Sequence, residues 1–298
     1  EPVGSFAPRS PAAQAYARLK NGGEAISRVV LLGPSHRVGF QGIATSSAAS
    51  YRTPLGEIPL DRDSITQIES QGQALVLDQA HAQEHSLEVH LPFLQRCLGQ
   101  FSLVPLVVGD AAPAAVASVI ESLWGGPETL LVISTDLSHY LPYAQAQAKD
   151  ANTTEMIEQR SSTLTGDMAC GCRPLNGLLQ VLRQRELNIE TVTVQNSGDS
   201  AGDRSRVVGY GAWVVNENNT TQRADPAPLP LARRQQLLYL ARHSILHGLT
   251  GSGNYDIALQ QYHPQLQEQR GCFVTLNLFN RLRGCIGSLT ANRALLVD

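Results

Sequence analysis

Two short stretches of this 298-residue chain set ionisable side chains just past aliphatic runs, and a third sets a cysteine at a helix entrance. His36 follows Val29-Val30-Leu31-Leu32 and the turn Gly33-Pro34-Ser35. Asp136 and His139 follow Leu130-Leu131-Val132-Ile133 in the same manner, and Cys170 precedes Arg173-Pro174 and a leucine-rich helical stretch. Imidazole changes charge near neutral pH, so it serves as a metal ligand or a proton carrier. A cysteine at a helix entrance feels exposed amides and the positive dipole end, so Cys170 is expected to favour its thiolate and act as a nucleophile or metal ligand. The competing reading of Cys170 is an inert buried thiol. Histidine together with thiolate suits iron or copper better than magnesium or calcium. Asp136 and His139 would orient ligands or move protons.

The segment from His81 to His90 is the most ionisable part of the chain. On a helix, positions 81, 84, 85 and 88 share one face. His81-x-x-Glu84-His85 also matches a zinc-peptidase pattern in which two histidines hold the metal and the glutamate is the base. The bland alternative is a polar helical start with surface histidines. Leu87, Leu91, Leu94 and Leu98 follow at helical spacing, so one side of this segment belongs to a core.

These groups must be held by strands and helices. Four consecutive aliphatics closed by Gly-Pro read as a strand buried on both faces, and in open α/β sheets ligands bind beyond the carboxyl ends of such strands. Apolar runs of strand length alternate with helical stretches over 12–215, which predicts one α/β domain with a central sheet flanked by helices. Its central strands are expected at 29–32, 103–108, 130–134 and 207–214. Helices are expected at 12–20, 61–70, 114–124, 145–160 and 175–187, and 51–59, with two prolines and a glycine, reads as a surface loop. His36, His85, Asp136, His139 and Cys170 should then line one pocket. Asn216 to Pro230 reads as a linker, followed by a helix at 231–246 and two hairpin strands at 272–276 and 282–287.

The net charge is −3 with 42% hydrophobic residues. No basic cluster is present, which argues against nucleic acid as partner. No apolar run reaches the roughly 20 residues that span a bilayer, and five cysteines make no disulfide framework. A cytoplasmic protein with no membrane partner is expected. Both chain ends read as cut within longer segments.

Five motifs carry a family resemblance in order and spacing. They are Leu32-Gly33-Pro34-Ser35-His36, Glu84-His85-Ser86-Leu87-Glu88-Val89-His90, Ser134-Thr135-Asp136-Leu137-Ser138-His139, Cys170-Gly171-x-x-Pro174 and Val208-Gly209-Tyr210-Gly211-Ala212. Together they resemble the Memo family, which is similar in fold to class III extradiol dioxygenases. The stretches 270–276 and 282–289 resemble an AMMECR-type domain. The resemblance implies a Memo-like domain at 1–215, a linker at 216–230 and a partial α+β AMMECR-type domain at 231–298. It implies an iron or copper site held by two histidines and a cysteine, with His36 and Cys170 as ligands; Asp136, His139 and His85 are the expected catalytic groups beside it. It also implies a radical-SAM protein as partner in the AmmeMemoRadiSam grouping, and a small-molecule or peptide substrate. The family's first histidine lies in a Pro-His-Ala-Gly segment ahead of the first helix, and Glu1 to Pro11 holds no histidine here. With His36 and Cys170 alone, weak metal binding or none is expected, unless His85 or His139 supplies a third ligand. A binding scaffold without metal is the alternative to an enzyme, and the resemblance disfavours the peptidase reading.

Overall fold

The computed structural model describes residues 10–21, 25–199, 203–217, 231–250, 261–267, 273–278 and 281–287. It forms two compact units, Glu1–Asn218 and Asn219–Asp298.

The first unit is built on strand β1, Arg28–Pro34, whose residues Val29 to Leu32 are fully buried. Burying each such side chain contributes about 1.5–3 kcal/mol, so this strand anchors the core. It lies between two parallel neighbours, β6 (Ser102–Val108) and β7 (Thr129–Ile133). Outside β6 come β2 (Ile43–Thr45), antiparallel to it, and then β5 (Leu75–Val76). The five-stranded order is β5-β2-β6-β1-β7, a mixed central sheet flanked by helices as the apolar pattern predicts.

Helix starts follow local capping chemistry. Ser10 accepts the Ala13 amide ahead of α1 (Pro11–Ala17), where proline fills the first turn at no hydrogen-bond cost. Asp61 accepts the Ser64 amide ahead of α2, Arg62–Ser70. Short α3 (Asp78–Ala82) and α4 (Leu91–Cys97) flank an irregular turn. Helix α5, Pro113–Leu123, packs on the strongly amphipathic α7, Cys172–Gln184, with Gly177 set closely against Val116 and Ala117. Leu87, Leu91, Leu94 and Leu98 are all buried, as their spacing predicts.

Three expectations are corrected. Residues 207–214 do not join the central strands: β10 (Val207–Val215) pairs antiparallel with β9 (Ile189–Asn196) and β8 (His139–Leu141) in a separate three-stranded sheet. The run is as apolar as a central strand, but six of its nine residues, all except Val207, Gly209 and Ala212, are only half-buried, because helices α1 and α6 (Tyr143–Glu158) cover it incompletely. Residues 51–59 are not a loop, since β3 (Ser50–Thr53) and β4 (Gly56–Pro59) form a hairpin turned by Gly56 at a φ of 125°. The 81–90 segment is not one helix: α3 stops at Ala82, and 84–87 turn before a 3-10 turn at Glu88–His90.

In the second unit, α8 (Leu231–Thr250) precedes the short α9 (Pro264–Gln267) and the antiparallel hairpin β11 (Phe273–Leu278) and β12 (Arg281–Gly287). Most of the linker expected at 216–230, and residue 272 of the first hairpin strand, lie outside the described residues. Among the described residues no helix is long and apolar enough to cross a membrane.

Candidate functional site

Because β1, β6 and β7 are parallel and in register, their carboxyl ends open on one edge. Ser35 donates to the Val108 carbonyl at 3.1 Å and Ser134 to the Leu32 carbonyl at 2.8 Å, so both exits leave the sheet together. An open depression of about 640 Å³ lies there. His36, His85, Asp136, His139 and Cys170 all line it, with Arg37, Tyr140 and Lys149.

The turn after α3 is pressed against the end of β1. Ser86 Oγ donates to the Pro34 carbonyl at 2.9 Å, and a Cβ on Gly33 would fall 2.7 Å from that oxygen and 2.9 Å from a Leu87 methyl. This approach carries the Glu84 carboxylate, whose side chain is 1% exposed, under His36. Glu84 Oε2 accepts the His36 backbone N–H, and Oε1 accepts both His36 Nδ1 at 2.9 Å and the Ser86 N–H at 3.0 Å. A carboxylate only accepts, so the His36 proton sits on Nδ1 and Nε2 is left for a ligand. Burial pushes the Glu84 carboxyl up, but the hydrogen bonds from His36 and Ser86 outweigh it and hold the group below its ordinary range. His85 stacks on His36 with ring centroids 5.0 Å apart. Substituting Gly33→Ala is expected to cost about 1–3 kcal/mol by overpacking this contact. Urea unfolding would measure it, and a loss below 0.5 kcal/mol, on the order of a surface change, would refute the tight approach.

On the other side, β7 runs into Ser134–Ser138. Gly171 lets the segment before α7 close on this stretch, since a Cβ there would meet the Ser134 carbonyl at 2.3 Å. Cys170 Sγ accepts the Asp136 N–H at 3.1 Å. The expectation that the helix entrance favours the Cys170 thiolate is corrected: Cys170 lies before the N-cap Gly171, and burial pushes its thiol up more strongly than the Asp136 amide pulls it down. Burial likewise raises the Asp136 carboxyl, against the opposing pull of His139, His36 and His85. His139 Nδ1 donates to the Leu137 carbonyl at 2.8 Å, and its Nε2 faces Asp136 Oδ2 at 3.8 Å.

The second sheet holds this loop. Leu137 N–H donates to the Gly209 carbonyl and Gly209 N–H to the Ser138 carbonyl, both at 2.8 Å, while buried Asp150 accepts the Ser138 N–H. Burial, then the charge of Asp136, raises the phenol of Tyr210 beside it.

Among the described residues, His36, Glu84 and His85 are the one group of three potential metal ligands whose donor atoms lie within 4.8 Å of one another. Cys170 shares the depression without belonging to that group. His81 is elsewhere: its Nδ1 meets the Tyr51 hydroxyl at 2.8 Å and its Nε2 the Ala44 carbonyl at 3.1 Å. Both nitrogens are engaged, which removes the zinc-peptidase reading. The role of Glu84 as the support of His36 was hidden in the sequence, where the same residue reads as a peptidase base. Its one visible signal is that Glu84 lies immediately before a histidine in a stretch too polar for the core it enters.

The parallel strand ends with their histidines, carboxylates and thiol define an α/β protein with a candidate site beyond the carboxyl edge of the sheet. Residues 7–214 match the family model described as Memo-like protein, and the chain belongs to the Memo family. Residues 238–298 match the AMMECR1 model, so the two are fused in one chain. A MEMO1 family protein of Methanopyrus kandleri is 34% identical over 208 residues, covering 62% of this chain and 71% of that one. One from Aeropyrum pernix is 34% identical over 203 residues, covering 63% and 72%. One from Sulfolobus acidocaldarius is 30% identical over 213 residues, covering 67% and 75%.

Proposed function

We propose that the strand-end depression is a site for iron or copper, held through His36 and Cys170, which performs redox or oxygen chemistry on a small molecule. The observation that carries the reading is the His36–Glu84 pair, in which a buried carboxylate fixes the imidazole by Nδ1 and leaves Nε2 as donor. The donor set fits a soft or borderline ion, and the Asp136 amide donating to Cys170 Sγ is the kind of contact that stabilises a thiolate. His85 or His139 is the candidate third ligand. When bound, the ion would polarise or exchange electrons with a substrate. Asp136 and His139 would hold and move the proton, between Asp136 Oδ2 and His139 Nε2, with the Leu137 carbonyl fixing the His139 tautomer. A radical-SAM protein is the proposed partner, and a cytoplasmic setting goes with it.

The test is iron and copper affinity of the purified chain, alone and with a Pro-His-Ala-Gly segment placed ahead of Ala12. His36→Ala and Cys170→Ser are expected to lower affinity at least tenfold each, and the added segment to raise it. Occupancy unaffected by both substitutions would put the metal elsewhere. A second reading, a metal-free scaffold for a small molecule or peptide, is favoured by the burial that pushes the Cys170 thiol up. No metal uptake in either form of the chain would select it.

A further inference from the structure

The rim of the depression contains two features that the metal reading leaves unused. Among its lining residues Arg37 is the arginine or lysine without a carboxylate partner. Lys149 pairs with Asp167 at 2.5 Å, and Asp136 faces His139. Arg37 lines the same depression, is exposed, and makes no hydrogen bond or ion pair with any described residue. The second feature is Tyr140. Its backbone sits at a φ of 60°, a left-handed conformation costly for a bulky residue, yet its side chain is 64% exposed. Its ring is set against His139, 5.8 Å between centroids, with the Arg206 guanidinium 5.0 Å from its own centroid. Strain of this kind persists where the surrounding structure over-determines it, and here the strain fixes an aromatic face at the mouth of the site instead of packing it away.

We propose that the depression takes a small organic carboxylate, its charged end held by the Arg37 guanidinium and its body lying against the ring of Tyr140. A guanidinium presents two parallel donors that match a carboxylate. An unpaired guanidinium suits a monoanion, and the Asp136 carboxylate on the same wall disfavours a dianion such as phosphate. This rests on the depression being the ligand site, as proposed above, but not on a metal being bound there.

The experiment is calorimetric titration of the full chain, stripped of metal with chelator, using benzoate, benzamide, acetate and inorganic phosphate. Benzoate is expected to bind at least tenfold more tightly than benzamide, which has the same body without the charge, and more tightly than phosphate. Arg37→Gln should lower benzoate affinity at least tenfold, and Arg37→Lys should keep part of it. Tyr140→Gly separates function from fold: glycine tolerates this φ, so the melting temperature should rise while benzoate affinity falls several-fold and acetate affinity stays unchanged. No benzoate binding, equal binding of benzamide, tighter binding of phosphate, or indifference of benzoate to either substitution would each overturn the proposal. Because no metal is present in these titrations, such a failure leaves the iron and copper measurements standing, and the reverse also holds.

Discussion

Replacing Glu84 by alanine is expected to destabilise the first unit by about 1–3 kcal/mol, because it removes the acceptor of three hydrogen bonds, one of them from the buried Ser86 amide. The His36 and Ser86 amides and His36 Nδ1 all end on this one carboxylate. The same substitution frees the imidazole to rotate, so with His36 as the proposed ligand iron or copper affinity should fall about 10- to 100-fold, the usual effect of losing a ligand's supporting partner. Glu84→Gln keeps the shape and one acceptor oxygen and should lie between. Denaturant unfolding and metal titration of the two variants make the check. A stability loss under about 1 kcal/mol for the alanine variant would mean that the pair is not the anchor described here.

The second large effect is acid destabilisation through His90. Its ring is half-buried between α1 and α4, where Nδ1 accepts from the Tyr16 hydroxyl at 2.8 Å and Tyr16 stacks on Phe93. Burial pushes the His90 pKa down to about 4 from 6.5. The unfolded chain therefore takes up the proton first, and stability present above pH 6.5 is lost as the pH falls through 4. The full loss is about 3 kcal/mol, the free-energy equivalent of that shift. His81, also held low by burial, works in the same direction, while Asp136, raised by burial, works against it. Urea unfolding of the native chain and of His90→Gln between pH 4.5 and 6.5 separates His90 from both, since glutamine still accepts from Tyr16. Parallel pH curves for the two would dismiss His90 as the cause.

The strands β1, β6 and β7 were legible because fully buried parallel strands read as unbroken aliphatic runs, and the site residues follow from where such runs stop. The sheet membership of β10 was not legible. Val-Val-Gly-Tyr-Gly-Ala-Trp-Val-Val has the composition of a central strand, and only its pairing partners, set by long-range contacts, distinguish the two sheets. The turn at 84–87 was hidden for a related reason. His81, Glu84, His85 and Glu88 keep helical spacing, but bringing Glu84 to His36 and Ser86 to Pro34 required the helix to stop at Ala82, and those partners lie about 50 positions upstream. Cys170 shows the limit of arguing from helix ends alone, because its burial outweighs the amides around it.

The paired bonds between Gly209 and the Leu137–Ser138 peptide groups also fix an order of events in biosynthesis. By the time His139 leaves the ribosome, β1, β6 and β7 are already made and can associate. The loop carrying Asp136 and His139 still lacks the strand that holds it. Gly209 arrives some seventy residues later, a delay of several seconds at the roughly 5–20 residues per second of translation. The loop with Asp136 and His139 can therefore take its final place in the candidate site only once nearly the whole first unit has been synthesised.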